Sequence, residues 1–242
     1  MTSGLVVWIT RTAEGARSTA RAVTELGHEP IIAPVLSARP LSPIIDSHSF
    51  DSVIVTSRNG VNAFANVCSR RALTVYCVGD ATAEAARAKK FQHVISAQGD
   101  SEALHALIRD SVDKGTRLLY ASAREPATNL TQALRADGFN VRTAAVYDTQ
   151  DVIAKLTPAD MARITHVLIH SPKAGRAVAR TLIAHHGKFA CDKLSIICIS
   201  EAAWQGLETA LAGVAGGNNL AERLHPRISP FPDEASMVKL ID

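Results

Sequence analysis

The second half of the 242-residue chain repeats the first, segment by segment. Val6–Leu36 aligns with Arg117–Tyr147 at an offset of 111, pairing Glu14 with Glu125 and Gly27 with Gly138. The stretch from Phe50 aligns with that from Ile164 at 114, pairing Val53 with Val167 and Ser57 with Ser171. Leu73–Ala88 then matches Leu194–Thr209 at 121, and Phe91–Ile108 matches Leu224–Ile241 at 133. The order is kept, and the offset grows only where loops would lengthen. A chain of this kind folds as two similar halves, and a cleft between them is the expected place for a ligand.

Within each half, short apolar runs alternate with helical periodicity, the mark of parallel strands covered by helices. Strands are expected at Leu5–Thr10, Val53–Thr56, Thr74–Val78, His93–Ser96, Arg117–Ala121, His166–His170, Ser195–Ile199 and Arg227–Ser229. Glu29–Val35 and Val141–Tyr147 read as two more, each after a helix that ends in a glycine suited to the left-handed C′ position. Ser57, Asp80, Ser101, Ser171 and Asp233 sit where N-caps should, and Pro158 and Pro172 suit a first helical position. The glycines and asparagines of Gly213–Asn219 suggest a flexible loop, and Ser37–Ser49 and Asp148–Pro158 read as linkers.

Composition narrows the function. With 47% hydrophobic and 20% charged residues the chain is an ordinary globular one, and its few aromatics favour α/β layers. A formal net charge of +3 suits an anionic small molecule but not the dense Lys/Arg clusters of a nucleic-acid binder. No run approaches the ~20 apolar residues that cross a bilayer, and Leu5–Ile9 is too short for a signal-peptide core. Cys68, Cys77, Cys191 and Cys198 form no CxxC pair and no zinc spacing, so they read as reduced, structural thiols. The expectation is a cytoplasmic, monomeric protein that needs no metal or cofactor and binds neither nucleic acid nor membrane.

Common catalytic signatures are missing: no GxGxxG follows the first strand, and there is no GxxxxGK[ST] loop or G-x-S-x-G elbow. What remains is a set of polar turns at strand carboxyl ends, directly before helices. They are Thr10-Arg11-Thr12, Thr56-Ser57-Arg58-Asn59, Gly79-Asp80-Ala81-Thr82, Ala121-Ser122-Ala123-Arg124, His170-Ser171-Pro172-Lys173 and Ser200-Glu201. In open parallel sheets ligands bind beyond these ends, where backbone N–H groups at helix starts accept anions. Taken singly, Ser57, Asp80 and Ser171 are equally plain caps, and Arg58, Arg124 and Lys173 equally plain solvated residues. Tyr147 by itself is equally a half-buried packing residue.

Taken together, these residues resemble the uroporphyrinogen-III synthase family of tetrapyrrole biosynthesis. The resemblance rests on Ile9-Thr10-Arg11, Leu26-Gly27-His28-Glu29, Ala33-Pro34, Phe50 to Val61, Val78 to Ala83, Val146-Tyr147-Asp148-Thr149, Val167 to Pro172 and Pro232-Asp233-Glu234. It implies two Rossmann- or flavodoxin-like parallel-sheet domains joined by a two-stranded linker. One would comprise residues 1–36 and 151–242, the other 41–146, with linker strands at about 29–40 and 141–150. It also implies a cofactor-independent cyclising lyase acting on hydroxymethylbilane, a linear tetrapyrrole with eight carboxylates. Tyr147 would then assist departure of the substrate hydroxyl. Thr56, Ser57, Asn59, Gly79, Thr82, Ser122, Ser171, Ser200 and, less centrally, Arg11 would bind the substrate. The chain departs from the family at Ser200-Glu201-Ala202-Ala203, where many members carry a Gly-Pro-Thr-Thr-like turn. From the residues alone, a cytosolic two-domain sensor that closes on a small anion without chemistry fits as well.

Overall fold

The computed structural model describes residues 4–126, 129–185, 187, 189, 193–214 and 217–242; Cys191 and Gly216 lie outside them. The first part of the chain runs β1 (Val6–Ile9), α1 (Ala13–Glu25), β2 (Glu29–Ile32), β3 (Leu36–Pro40), β4 (Ser52–Val55), α2 (Arg58–Val67), β5 (Thr74–Cys77), α3 (Asp80–Ala88), β6 (His93–Ser96) and α4 (Ser101–Ser111). The second runs β7 (Arg117–Ala123), α5 (Leu130–Ala136), β8 (Asn140–Asp151), α6 (Pro158–Arg163), β9 (His166–Ile169), α7 (Pro172–Ala184), β10 (Ser195–Cys198), α8 (Glu201–Ala212), α9 (Gly217–Ala221), β11 (His225–Ile228) and α10 (Glu234–Val238).

By internal packing the chain divides into Met1–Ser37 with Gln150–Asp242 (unit 1) and Ala38–Thr149 (unit 2). The sheet of unit 1 has the order β2-β1-β9-β10-β11, with every pair parallel. In unit 2 the parallel order is β8-β7-β4-β5-β6. The sequence repeat equates β1 with β7, β2 with β8, β9 with β4, β10 with β5 and β11 with β6. Under that correspondence the two orders are the same. The copies are therefore exchanged: each sheet takes its strand–helix–strand start from one copy and its remaining three strands from the other. Gly27 and Gly138, repeat partners, both close their helices at positive φ, 84° and 86°.

The central strands are buried on both faces, which is why they read as continuous apolar runs. In unit 1, Trp8, Val167, Ile169 and Ile196 pack with α7 and α8 on one face, while Val7, Ile9, Leu168 and Ile197 meet α1 and α10 on the other. The Trp8 indole donates to the Ala33 carbonyl at 2.7 Å and stacks on Phe189. In unit 2, Val53, Val55 and Val75 face Phe64 and Ala83, and Ile54, Leu118 and Tyr120 face Leu104, Ile108 and Leu134. Helices α7 and α8 touch backbone to backbone: a Cβ on Gly206 would lie 2.3 Å from the Pro172 carbonyl oxygen, and one on Gly175 2.4 Å from that of Ala203.

Several local expectations are corrected. The stretch Glu29–Val35 stops being a strand at Ile32, and β3, from Leu36 to Pro40, runs into the stretch Ser37–Ser49 that reads as a linker. β3 pairs with β8, and the bonds Leu41 N–H to Val146 O and Val152 N–H to Val35 O, both 2.8 Å, run in antiparallel sense. The cap of α3 is Gly79, with Asp80 in the first turn, and that of α4 is Asp100, whose Oδ1 accepts from Glu102 and Ala103. A short helix, α9, occupies part of the glycine-rich stretch read as a loop, because burying Leu220 against the unit 1 core outweighs glycine's weak helix propensity.

Candidate functional site

Each sheet has one place where the chain's progress reverses: between β1 and β9 in unit 1, and between β4 and β7 in unit 2. The carboxyl ends at such a switch point diverge and leave room for a ligand. Most of the candidate residues fall at these points or on the adjoining strand.

In unit 2, β4 ends in two consecutive hydroxyls, and each meets a phenol. Thr56 Oγ1 lies 3.0 Å from the Tyr120 hydroxyl, which comes from β7. Ser57 Oγ lies 3.1 Å from the Tyr147 hydroxyl, which comes from β8. Ser57 also caps α2, accepting the Gly60 N–H at 3.0 Å. Tyr147 reaches this point because the β7–β8 register slips: Ser122 opposes Ala145, but Ala123 opposes Tyr147. The extra residue, Val146, is a β-bulge, so Val146 and Tyr147, although consecutive, both pack on the core face that carries α2. Asn59 is half-buried in the first turn of α2. On the neighbouring strand Gly79 caps α3, and Thr82, 6% exposed, gives its N–H to the Gly79 carbonyl. Ser122 is buried at 1% exposure and donates its hydroxyl to the Ala123 carbonyl at 2.8 Å. The Tyr120 phenol, mainly through burial, holds its proton more tightly than an ordinary tyrosine.

In unit 1, Ser171 caps α7 and accepts from Ala174 N–H at 3.1 Å, repeating the Ser57 cap. Ser200 caps α8 through its backbone carbonyl, without a side-chain cap bond. Arg11 is paired with Glu234 of α10 and reaches Thr19 Oγ1 at 3.4 Å. Nearby, His170 has both ring nitrogens buried and unbonded, and burial, with the Arg11 charge, pushes its pKa down to about 3. Among the described residues no group of three or more His, Cys, Asp and Glu side chains is placed to hold a metal.

Sequence reasoning missed Tyr120 and Glu234 as partners of candidate residues. Tyr120 sits in an apolar run and reads as core, and Glu234 is 223 residues from Arg11.

The fold and its turns define a doubled parallel α/β protein with hydroxyl- and amide-bearing switch points. Residues 17–211, most of the chain, match the family model described as uroporphyrinogen-III synthase HemD, and the chain belongs to that family. Its reaction is the cyclisation of hydroxymethylbilane to uroporphyrinogen III, with inversion of ring D and loss of water, in haem biosynthesis. The crystal structure of uroporphyrinogen-III synthetase from Helicobacter pylori is similar in fold, with a TM-score of 0.59 at 15% identity over 98% of this chain and 97% of that one. A mutant uroporphyrinogen III synthase from the extremely thermophilic bacterium Thermus thermophilus aligns at a TM-score of 0.46 and 14% identity, over 98% of this chain and 96% of that one. No curated protein matches the sequence. Nothing in these comparisons supports the reading as a sensor without chemistry.

Proposed function

We propose that Tyr147 is the group that assists hydroxyl departure, and that the turns around it hold the substrate. The observation that carries this is the placement of its phenol: at the switch point of unit 2, half-buried, and hydrogen-bonded to the residue that caps α2. The phenol gives its proton to the hydroxymethyl oxygen as the C–O bond breaks, so that water leaves and a delocalised azafulvene cation remains. The distal pyrrole attacks this cation. Spiro closure and fragmentation turn ring D round before the ring closes again. The pyrrole proton released on the final rearomatisation returns to the tyrosinate, so only water is lost overall.

The larger task is holding a flexible chain in the right geometry, which positioning accomplishes better than acid strength. Thr56, Asn59, Gly79 and Thr82 in unit 2, and Ser171 and Ser200 in unit 1, are assigned to substrate carboxylates, largely through amides at helix starts. Three expected members leave this list: Ser57, which meets the Tyr147 hydroxyl, Ser122 and Arg11. Ser122 is committed to its own backbone. Arg11 directs its Nη1 to Glu234 and Thr19, so its assigned task is fastening α10 to the β1 turn. The buried thiols Cys68, Cys77 and Cys198, none in a disulfide, support a reducing, cytoplasmic setting. A monomer suffices for this chemistry, and sedimentation would test it. Tyr147→Phe should lower kcat about 100-fold, at the lower end of what a positioned acid supplies, with KM within about three-fold. Unchanged turnover would return Tyr147 to a packing role.

A further inference from the structure

We propose that Ser57 acts through Tyr147 and not on the substrate: its hydroxyl, anchored by the start of α2, donates to the phenol oxygen and positions it for proton transfer. This deepens the assignment of Tyr147 and rests on it. Ser57 Oγ already accepts the Gly60 N–H, so one of its lone pairs is occupied and its side chain is fixed by the helix. An oxygen that accepts from a helix N-terminus is polarised to donate its own proton, and the Tyr147 hydroxyl lies 3.1 Å away to receive it. The chain Gly60 N–H, Ser57 O–H, Tyr147 O thus carries the positive end of a helix to the phenol. Negative charge grows on that oxygen as the substrate hydroxyl takes its proton, and the Ser57 bond becomes charge-assisted at that moment. Ser57 keeps its own proton throughout.

The ring is held as firmly as its hydroxyl. The Val146 bulge turns it toward α2. Gly60 lies alongside the ring: a Cβ there would meet Tyr147 Cε1 at an ordinary 3.8 Å and crowd only the Ala121 carbonyl oxygen, at 3.2 Å. The phenol can then present its proton to one fixed point. A serine that simply bound a carboxylate would need neither the bulge nor the cap.

The test is steady-state turnover of hydroxymethylbilane by Ser57→Ala, Ser57→Thr, Ser57→Asp, Tyr147→Phe and the Ser57→Ala/Tyr147→Phe double variant. Ser57→Ala should lower kcat about ten-fold, the equivalent of one hydrogen bond of ~1.4 kcal/mol, with KM within about two-fold. Ser57→Thr should restore kcat to within about three-fold. Ser57→Asp preserves the cap, and so the fold, but only accepts; it should lose as much as Ser57→Ala. In the Tyr147→Phe background, Ser57→Ala should change nothing further. A raised KM with unchanged kcat, and effects that add fully to those of Tyr147→Phe, would make Ser57 a substrate contact and overturn the proposal. Wild-type kcat in Ser57→Asp would overturn the donor role. Wild-type turnover by Tyr147→Phe would instead remove the assignment on which the proposal rests.

Discussion

His170 gives the structure a measurable dependence of stability on pH. Its ring lies at the carboxyl end of β9 with both nitrogens buried and neither hydrogen-bonded. Burial first, and the Arg11 charge second, push its pKa from 6.5 down to about 3. The folded protein therefore refuses a proton that the unfolded chain takes up below about pH 6.5. The stability linked to this group is present above the unfolded pKa and is lost as pH falls through the window from 6.5 toward 3. One proton of difference gives a slope of about 1.4 kcal/mol per pH unit, so roughly 2 kcal/mol disappears between pH 6.5 and 5. His170→Leu removes the titrating ring and both unbonded nitrogens. At pH 7 the variant should lie within about 1 kcal/mol of the parent, because removing unpaired polar atoms offsets imperfect packing. At pH 5 the comparison should have moved by about 2 kcal/mol in the variant's favour. Urea unfolding at pH 7, 6 and 5 measures this, and all other carboxylates and histidines cancel in the difference. A parent-to-variant gap that stays constant with pH would refute the reasoning.

Burial pushes the Cys77 and Cys198 thiols up to about 12, so native protein at pH 8 should react with iodoacetamide at these positions at least ~100-fold more slowly than urea-unfolded protein, as read by mass spectrometry. Rapid native labelling of either would contradict their placement. Gly206→Ala puts a methyl group against the Pro172 carbonyl and should cost about 1–3 kcal/mol as α7 and α8 separate; an unchanged denaturation midpoint would contradict the close contact. Thr56→Ala leaves the Tyr120 hydroxyl, on a residue 2% exposed, without the threonine partner and should destabilise by about 1–3 kcal/mol in chemical unfolding. Full stability would show that the Thr56–Tyr120 bond contributes little.

Much of the fold was legible because parallel strands buried on both faces leave strong signals. Val53–Val55 and Val167–Ile169 read as strands from composition, and Ser57 and Ser171 read as caps because proline or helical pattern follows them directly. Gly27 and Gly138 marked equivalent helix ends, and both take the left-handed conformation that glycine favours. What stayed hidden depends on contacts between distant residues. The repeat by itself announced two copies but not that they exchange their first strand–helix–strand pieces, since pairing of β1 with β9 is a long-range event; the joining of 1–36 to 151–242 was implied only by the family resemblance. β3 lies within the linker strand that the resemblance implied at about 29–40, but its own residues did not mark it, since Leu-Ser-Ala-Arg-Pro is short, ends in proline and is held at the edge by β8. At the site, Tyr147 and Ser57 were both visible, but not their partnership. A one-residue bulge at Val146 decides which face Tyr147 takes, and strict period-two reading cannot register it. Arg11 stood out as a cation beside a helix start, and only the tertiary structure supplied the carboxylate that occupies it.

The most direct measurement is the isomer composition of the porphyrinogen formed from freshly prepared hydroxymethylbilane, with and without the purified protein, separated by chromatography after oxidation. The type III isomer should accumulate in the presence of protein and be nearly absent without it. Type I product alone, formed no faster than in buffer, would contradict the account.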